Sequence, residues 1–581
     1  MQGHDVLDSV PFRQARPLDH PAAHYPGFRP ERKHLGRGHQ ARPGALPLPC
    51  DIVMEQDVAV ELRDGTRIYV DIFRPADAAG RLPTLLAWGP YGKQGGVINF
   101  DMLPFRGGIA VEAVSGLEMF EGPDPAYWCA HGYAVVNADS RGALSSEGDL
   151  HCWGRQEGRD GHDLVEWIAR QDWSNGKVGL SGTSWLAIVQ WFIAAERPPH
   201  LAAISPCEGW GDLYRTDVVR GGIPDAGFND HMVSTFAGGG RVEDVPAMVA
   251  ADPLMNDYWR DKIADVASIA VPTYAISSWT NLIHAIGTFD AWRGTGAQDK
   301  WLRIHNTHEW DDYYAQVDDL RRFFDRFLKG EDNGWDTTPR VRMAILDPGG
   351  EDELARAEAD FPLSRTVYTP LYLDAAGAAL TGEQQDAASS VAYDPCDKAD
   401  RAVFVHRFTH DVELGGYIKL RLWVSAEGAD DLDLYAELRK LDADGKHLGS
   451  RTFLPPGVGR YDPLDDPDKQ SGMLVFSGAK GMQRASMRHV DPAKSAPAQP
   501  FHTFDRVEKL GEGKIVPVDI QIWPLAMRWR AGEQLQLLVA GQKMSGVEFP
   551  GLAGPATINR GRHIIHTGGG FDSHLLIPVI G

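Results

Sequence analysis

Hydrophobic and polar positions alternate through VAVELRDGTRIYVDIFRP on both sides of Asp64-Gly65, a pattern that predicts a β-hairpin beginning near Asp57. The period then changes. LPTLLAWGPY and GYAVVNADSRG are continuous apolar runs reaching Tyr91 and Asp139, and KVGLSG, VPTYAISSW and WLRIHNT follow as others. Each reads as a strand buried on both faces. RDGHDLVEWIARQ sets Leu164, Trp167 and Ile168 at helical spacing, WLAIVQWFIAA reads as an apolar helix, and DDLRRFFDRFLKG closes the series as another. Strands alternating with helices predict an α/β domain on a mostly parallel sheet. The rhythm fails over 205–268, where Gly221-Gly222, Gly238-Gly239-Gly240 and the helix-like DPLMNDYWRDKIADV read as an inserted helical cap. From about 340 to 581, short strands such as YIKLRLWVSA, DLDLYAEL and EQLQLLVAG alternate with Gly, Pro and Asp turns, as in an antiparallel sandwich or jelly roll. Residues 1–50 show little periodicity and read as an irregular arm. The expected organisation is arm, α/β domain (51–204 and 269–335), cap (205–268) and β-rich domain (340–581).

Composition narrows the partners. With 58 Lys+Arg against 80 Asp+Glu the formal charge is −22, which argues against nucleic acid and anionic membranes, since both need a basic face. Five scattered cysteines without a CxxC pair describe neither a disulfide scaffold nor a zinc site. The start MQGHDVLDSV lacks the marks of a signal peptide, and no apolar run is long enough to span a membrane. A cytoplasmic protein is therefore expected, and the acidic surface with a proline-rich arm would suit a homo-oligomer exchanging arms. Gly568-Gly569-Gly570 precedes no helix and reads as a turn, so no nucleotide loop, no cofactor and no metal are expected.

The chemistry centres on Val178-Gly179-Leu180-Ser181-Gly182-Thr183-Ser184-Trp185-Leu186-Ala187. A buried strand ends in Gly-x-Ser and passes directly into an apolar helix, which lifts the Ser184 hydroxyl above the sheet and aims the next N–H at a developing oxyanion. Leu186 stands where the full G-x-S-x-G pattern has glycine. A serine nucleophile needs a base. His305 and His308 follow a late strand; His305 falls within it and reads as a core residue, whereas His308 falls in the loop and is the candidate base. Their spacing without further clustered ligands does not support a metal pair.

These stretches, with NADSRGALSSEGD, EGRDGHDLVEWIARQDWSNGKVGLSGTSW and RRFFDRFLKGEDNGW, resemble the cocaine-esterase and X-prolyl dipeptidyl-peptidase family of serine hydrolases from about Asp57 to the C-terminus. The resemblance implies an α/β-hydrolase domain, a helical cap and a C-terminal jelly-roll (galactose-binding-like) domain. It implies Ser184 as nucleophile, His308 as base, and an oxyanion hole from the Tyr91 hydroxyl and the Trp185 N–H. The family's acid ends a Gly-Trp-x-Asp pattern, and here the matching residues are Ser278-Trp279-Thr280-Asn281. Three accounts remain open: Asn281 orients His308 itself, a nearby carboxylate such as Asp290, Asp311 or Asp312 substitutes, or the protein is a degenerate hydrolase.

Trp88, Trp210, Trp279 and Trp310 lie near these segments and would favour an aromatic acyl pocket. Asp139 and Arg141 read as an ion pair anchoring a loop; Glu208 and Asp212 read as solvated carboxylates, with recognition of a substrate amine as the functional alternative. The expected function is hydrolysis of small carboxylic esters or amides through an acyl-enzyme. An X-Pro dipeptidyl-peptidase and a non-catalytic binding protein are the alternatives.

Overall fold

The computed structural model describes residues 10–93, 95–454, 458–462, 474–511, 513–544, 552 and 556–581. Eleven of its strands form one sheet: β1 Glu31–Leu35, β2 Ile52–Glu61, β3 Arg67–Pro75, β4 Leu82–Gly89, β5 Ala134–Asp139, β6 Ser174–Thr183, β7 Leu201–Cys207, β8 Thr273–Ser278, β9 Lys300–His305, β10 Val341–Ile345 and β11 Glu353–Glu358. Their spatial order is β11-β10-β9-β8-β7-β6-β4-β5-β3-β2-β1. From β5 to β10 every neighbouring pair is parallel. β4 and β5 are buried along their whole length, which is why their sequences are unbroken apolar runs. The helix Trp185–Ala195 is buried except at its last residue, as a helix that is apolar all round must be.

Two expected boundaries shift. The arm is not wholly irregular: β1 completes the sheet edge beside β2, and Phe12–Gln14 pairs with Arg241–Glu243 of the cap. The sheet also runs past residue 340, because β10 extends it in parallel beside β9 and β11 turns back antiparallel.

The cap contains the short helices Gly227–Thr235, Val245–Ala251 and Asp257–Asp261. A buried Lys262–Glu243 ion pair of 2.8 Å pins it, with the Tyr258 hydroxyl donating to the same carboxylate. Its turn Arg220–Gly222 seats against the strand Ala479–Arg484 of the β domain. Gly221 has φ +57°, and a Cβ there would lie 1.9 Å from the Met482 carbonyl oxygen, so only glycine permits the approach. The β domain closes on itself, because the long strand Val412–Glu427 pairs with both Val516–Trp529 and His574–Ile580. Among the described residues no helix is long and apolar enough to cross a membrane.

Candidate active site

Ser184 stands where β6 turns into the helix Trp185–Ala195, at φ +52° and ψ −118°. This strained conformation turns the side chain out of the sheet. Gly182, at φ +144°, makes the turn possible: a Cβ there would lie 2.6 Å from the Leu186 side chain. The Trp185 N–H begins the helix, where no intrahelical acceptor exists.

Tyr91 follows β4, one residue past the loop proline. Its buried phenol faces both the Ser184 hydroxyl and the Glu121 carboxyl. Burial and the neighbouring Glu121 raise its pKa well above the ordinary phenol value, so it remains a proton donor. Ser184, Tyr91 and His308 line one cavity of about 150 Å³, with Phe120, Met232 and Trp310 among its apolar walls. Replacing Tyr91 by phenylalanine is expected to lower kcat by roughly 10²–10³ with little change in KM, the usual cost of one oxyanion donor. Steady-state kinetics on an activated ester checks this, and an unchanged kcat would remove Tyr91 from the site.

His308 caps the helix Glu309–Ala315, and its ring is stacked by Phe453 of the β domain at 4.2 Å. Burial, with repulsion from His284 and His305, lowers its pKa well below the ordinary value, so the resting imidazole is neutral. Its Nδ1 lies 3.1 Å from Glu309 Oε2, though not aligned for a hydrogen bond. Glu309 is buried and its pKa is pushed up to about 8 by that burial.

Asn281 does not take the expected place. Its Nδ2 donates to Glu309 Oε2 at 2.6 Å, its Oδ1 accepts from the N–H groups of Ile283 and His284, and no hydrogen bond joins it to His308. With its amide oxygen committed to the loop after β8, Asn281 holds the carboxylate that faces the histidine. Two of the three aspartates are engaged elsewhere. Asp290 accepts from the Tyr417 hydroxyl, and Asp312 is paired with Arg303 and 3.7 Å from His305. Asp311 is half-buried, and among the described residues no hydrogen bond or ion pair joins it to His308.

Glu309 escaped the sequence reading because the substitute acid was sought among the aspartates at 290, 311 and 312, not in the glutamate directly after the histidine. Glu121 escaped it too. Glu121 is buried, accepts from Trp310 Nε1 at 2.7 Å, and is held protonated by burial and by Glu309. Neither residue sits in a motif that would mark it.

Of the four tryptophans expected in the pocket, only Trp310 lines it. Trp88 donates to Glu157, Trp210 packs on Trp153 with ring centres 4.7 Å apart, and Trp279 donates to the Ala344 carbonyl. All three are fully buried beneath the site, since nearness in sequence does not set the direction of a side chain. Asp139 and Arg141 do anchor loops, though not as a mutual pair: Asp139 holds Lys93 at 2.7 Å and Arg141 holds Asp160. Glu208 is not solvated; it is completely buried, 3.0 Å from His305 Nε2. Asp212 is paired with Arg215.

Glu157 ties the elbow to the sheet. Its Oε1 accepts from the indoles of Trp88 and Trp185, and its Oε2 from the Trp153 N–H. Burial still raises its pKa from 4.5 to about 7. Between those values the folded chain keeps a proton that the unfolded chain has lost, so this group's stabilisation fades as pH rises through 7. Glu157→Gln is expected to flatten the fall in unfolding free energy between pH 5 and 7, by up to about 1.4 kcal/mol per pH unit. Calorimetric melts of both proteins at pH 5, 6 and 7 check the slope; parallel curves would refute it.

Known proteins resemble this chain along most of its length. The X-Pro dipeptidyl-peptidase (S15 family) model matches residues 64–244, and the X-Pro dipeptidyl-peptidase C-terminal non-catalytic domain matches 333–576. The crystal structure of a CocE/NonD family hydrolase from Staphylococcus aureus superposes with a TM-score of 0.84 at 34% identity, covering 91% of this chain and 94% of that one. The chain belongs to the CocE/NonD hydrolase family. Cocaine esterase from Rhodococcus sp. is 27% identical over 493 residues, 68% of this chain and 81% of that protein. A putative Xaa-Pro dipeptidyl-peptidase from Streptomyces avermitilis is 24% identical over 313 residues, 47% of this chain and 45% of that protein. Like other CocE/NonD proteins of this type, the chain is a serine hydrolase.

Proposed function

We propose that the chain hydrolyses small carboxylic esters through an acyl-enzyme on Ser184. Ser184 Oγ attacks the carbonyl carbon and its proton passes to His308 Nε2, while Glu309 steadies the imidazolium through Nδ1. The Tyr91 hydroxyl and the Trp185 N–H take the oxyanion. His308 then returns the proton to the leaving alkoxide, and water repeats the sequence to release the acid. The observation that supports this best is the Tyr91 phenol facing the Ser184 hydroxyl in a cavity that His308 also lines.

A cavity of about 150 Å³ walled by Leu103, Phe120, Phe228 and Trp310 favours a small apolar or aromatic acyl group. Its carboxyls argue against X-Pro substrates. A free α-ammonium calls for ionised, unengaged partners, whereas burial keeps Glu121 protonated and Glu309 is already engaged by Asn281 and faces His308. We read the closed β domain as the jelly roll of this family, serving here as a wall of the site through Thr452 and Phe453. A cytoplasmic location fits Cys129, Cys152 and Cys207, which are buried as free thiols.

The test is a panel of acetyl, butyryl and benzoyl p-nitrophenyl esters beside an X-Pro p-nitroanilide, with fluorophosphonate labelling of the serine. Labelling with turnover of the esters is expected, the benzoyl ester included. Faster turnover of the anilide would replace this reading by the peptidase, and a chain that neither labels nor turns over would be a binding protein.

A further inference from the structure

The helix Ala285–Gly294 divides two cavities. Leu282, Ile283 and His284, just before it, wall the catalytic one, while its Ile286, Gly287, Asp290 and Arg293 face a second, of about 360 Å³. No residue lines both. The second is bounded by the cap, that helix and the β domain, and its size lies within the roughly 300–1,000 Å³ of small-molecule sites.

Its lining is cationic in a chain of formal charge −22: Arg215, Arg220, Arg293 and Lys494 against Asp212 and Asp290. Arg215 is paired with Asp212 at 2.9 Å, Arg220 with Asp225 at 3.1 Å, and Arg293 lies 3.9 Å from Asp290. Lys494 has no carboxylate partner among the described residues. Its ammonium lies 5.0 Å from the centre of the Phe501 ring, and the Arg215 guanidinium lies 4.5 Å from the same ring. Two cations thus lie against one aromatic ring at the wall of the cavity.

Two further lining groups lack what burial demands. Trp523 and His502 are each 5% exposed, yet neither Trp523 Nε1 nor His502 Nε2 has a hydrogen-bond partner among the described residues. Buried polar atoms are nearly always satisfied, and an indole N–H left bare is costly. Burial holds the His502 ring neutral, with its pKa lowered to about 4. A neutral ring nitrogen can accept from a hydroxyl, and the indole N–H can donate to an oxygen. Ile286, Met482 and Phe504 supply apolar surface between them.

We propose that this cavity is a second ligand site, taking a small carboxylic acid with an apolar body and a hydroxyl group. The carboxylate meets the cations at the wall, the body lies on the apolar residues, and the oxygens satisfy Trp523 and His502. The inference goes beyond the hydrolase reading and does not depend on it.

The test is calorimetric titration of mandelate into the full chain carrying Ser184→Ala, which removes turnover from the measurement. One equivalent is expected to bind, at least fivefold more tightly than phenylacetate, which lacks the hydroxyl, and phenylethanediol, which lacks the charge. Lys494→Gln, on an exposed side chain, and Trp523→Phe, which deletes little more than the N–H, should each weaken mandelate at least fivefold. Trp310→Phe, in the catalytic cavity, should leave it unchanged. No binding at millimolar mandelate overturns the proposal. So does affinity that survives both substitutions, or that is lost with Trp310→Phe. Failure of the hydrolase reading would instead appear as absent fluorophosphonate labelling of the wild type.

Discussion

Ser184→Ala is expected to lower kcat for p-nitrophenyl esters by about 10⁴-fold or more, the scale seen when a triad serine is deleted. The reasoning is local. At φ +52° the backbone is already strained, and the strain belongs to the turn, so alanine adds none. The backbone N–H of residue 184 bonds to the Cys207 carbonyl at 3.2 Å, and that bond survives the substitution. The fold and Tm should therefore be unchanged while the nucleophile is gone. Turnover measured beside circular dichroism checks both halves. A variant keeping more than a few per cent of wild-type turnover would show that another group attacks the substrate.

The second large effect is expected at Glu309. Glu309→Gln should lower kcat by roughly 10³–10⁴, as an Asp→Asn change does in a protease triad. An amide NH₂ facing Nδ1 makes that nitrogen the acceptor, so the neutral ring carries its proton on Nε2 and cannot take one from Ser184. The pH dependence follows from the same pair. Burial raises the Glu309 pKa, and its protonated form leaves His308 in the unproductive state. Activity should therefore rise with pH as Glu309 ionises, toward about 8, well above the ordinary carboxylate range. In Glu309→Gln that limb should disappear. Asn281→Asp separates this account from its rival. By family pattern alone an aspartate there would restore a charge and raise the rate. In the structure Asn281 Nδ2 lies 2.6 Å from Glu309 Oε2, so an aspartate would set carboxyl against carboxyl and raise the Glu309 pKa further. No gain at neutral pH is expected, and a loss is more in keeping with the geometry. Full pH–rate profiles of the two variants decide. A faster Asn281→Asp together with a nearly normal Glu309→Gln would return the orienting role to position 281.

Local patterns in the sequence set the main strands and helices of the α/β domain and their order, though not the strands of the arm or the last two of the sheet. Unbroken apolar strands, the helical spacing of Leu164 and Ile168, and the Asp64-Gly65 hairpin are local patterns, and backbone geometry follows from them without knowledge of distant partners. The elbow at Ser184 was legible for the same reason, being a strand, a turn and a helix within ten residues. What the tertiary structure decided is who faces whom. Glu309 and Asn281 are 28 residues apart and meet because β8 and β9 are parallel neighbours whose ends open onto one cavity. Trp88 and Trp185 turn inward to Glu157, and Phe453, from a separate domain, closes over His308. Side-chain direction and the raised carboxyl pKa values depend on burial among groups far apart in the chain, and no local pattern records that burial.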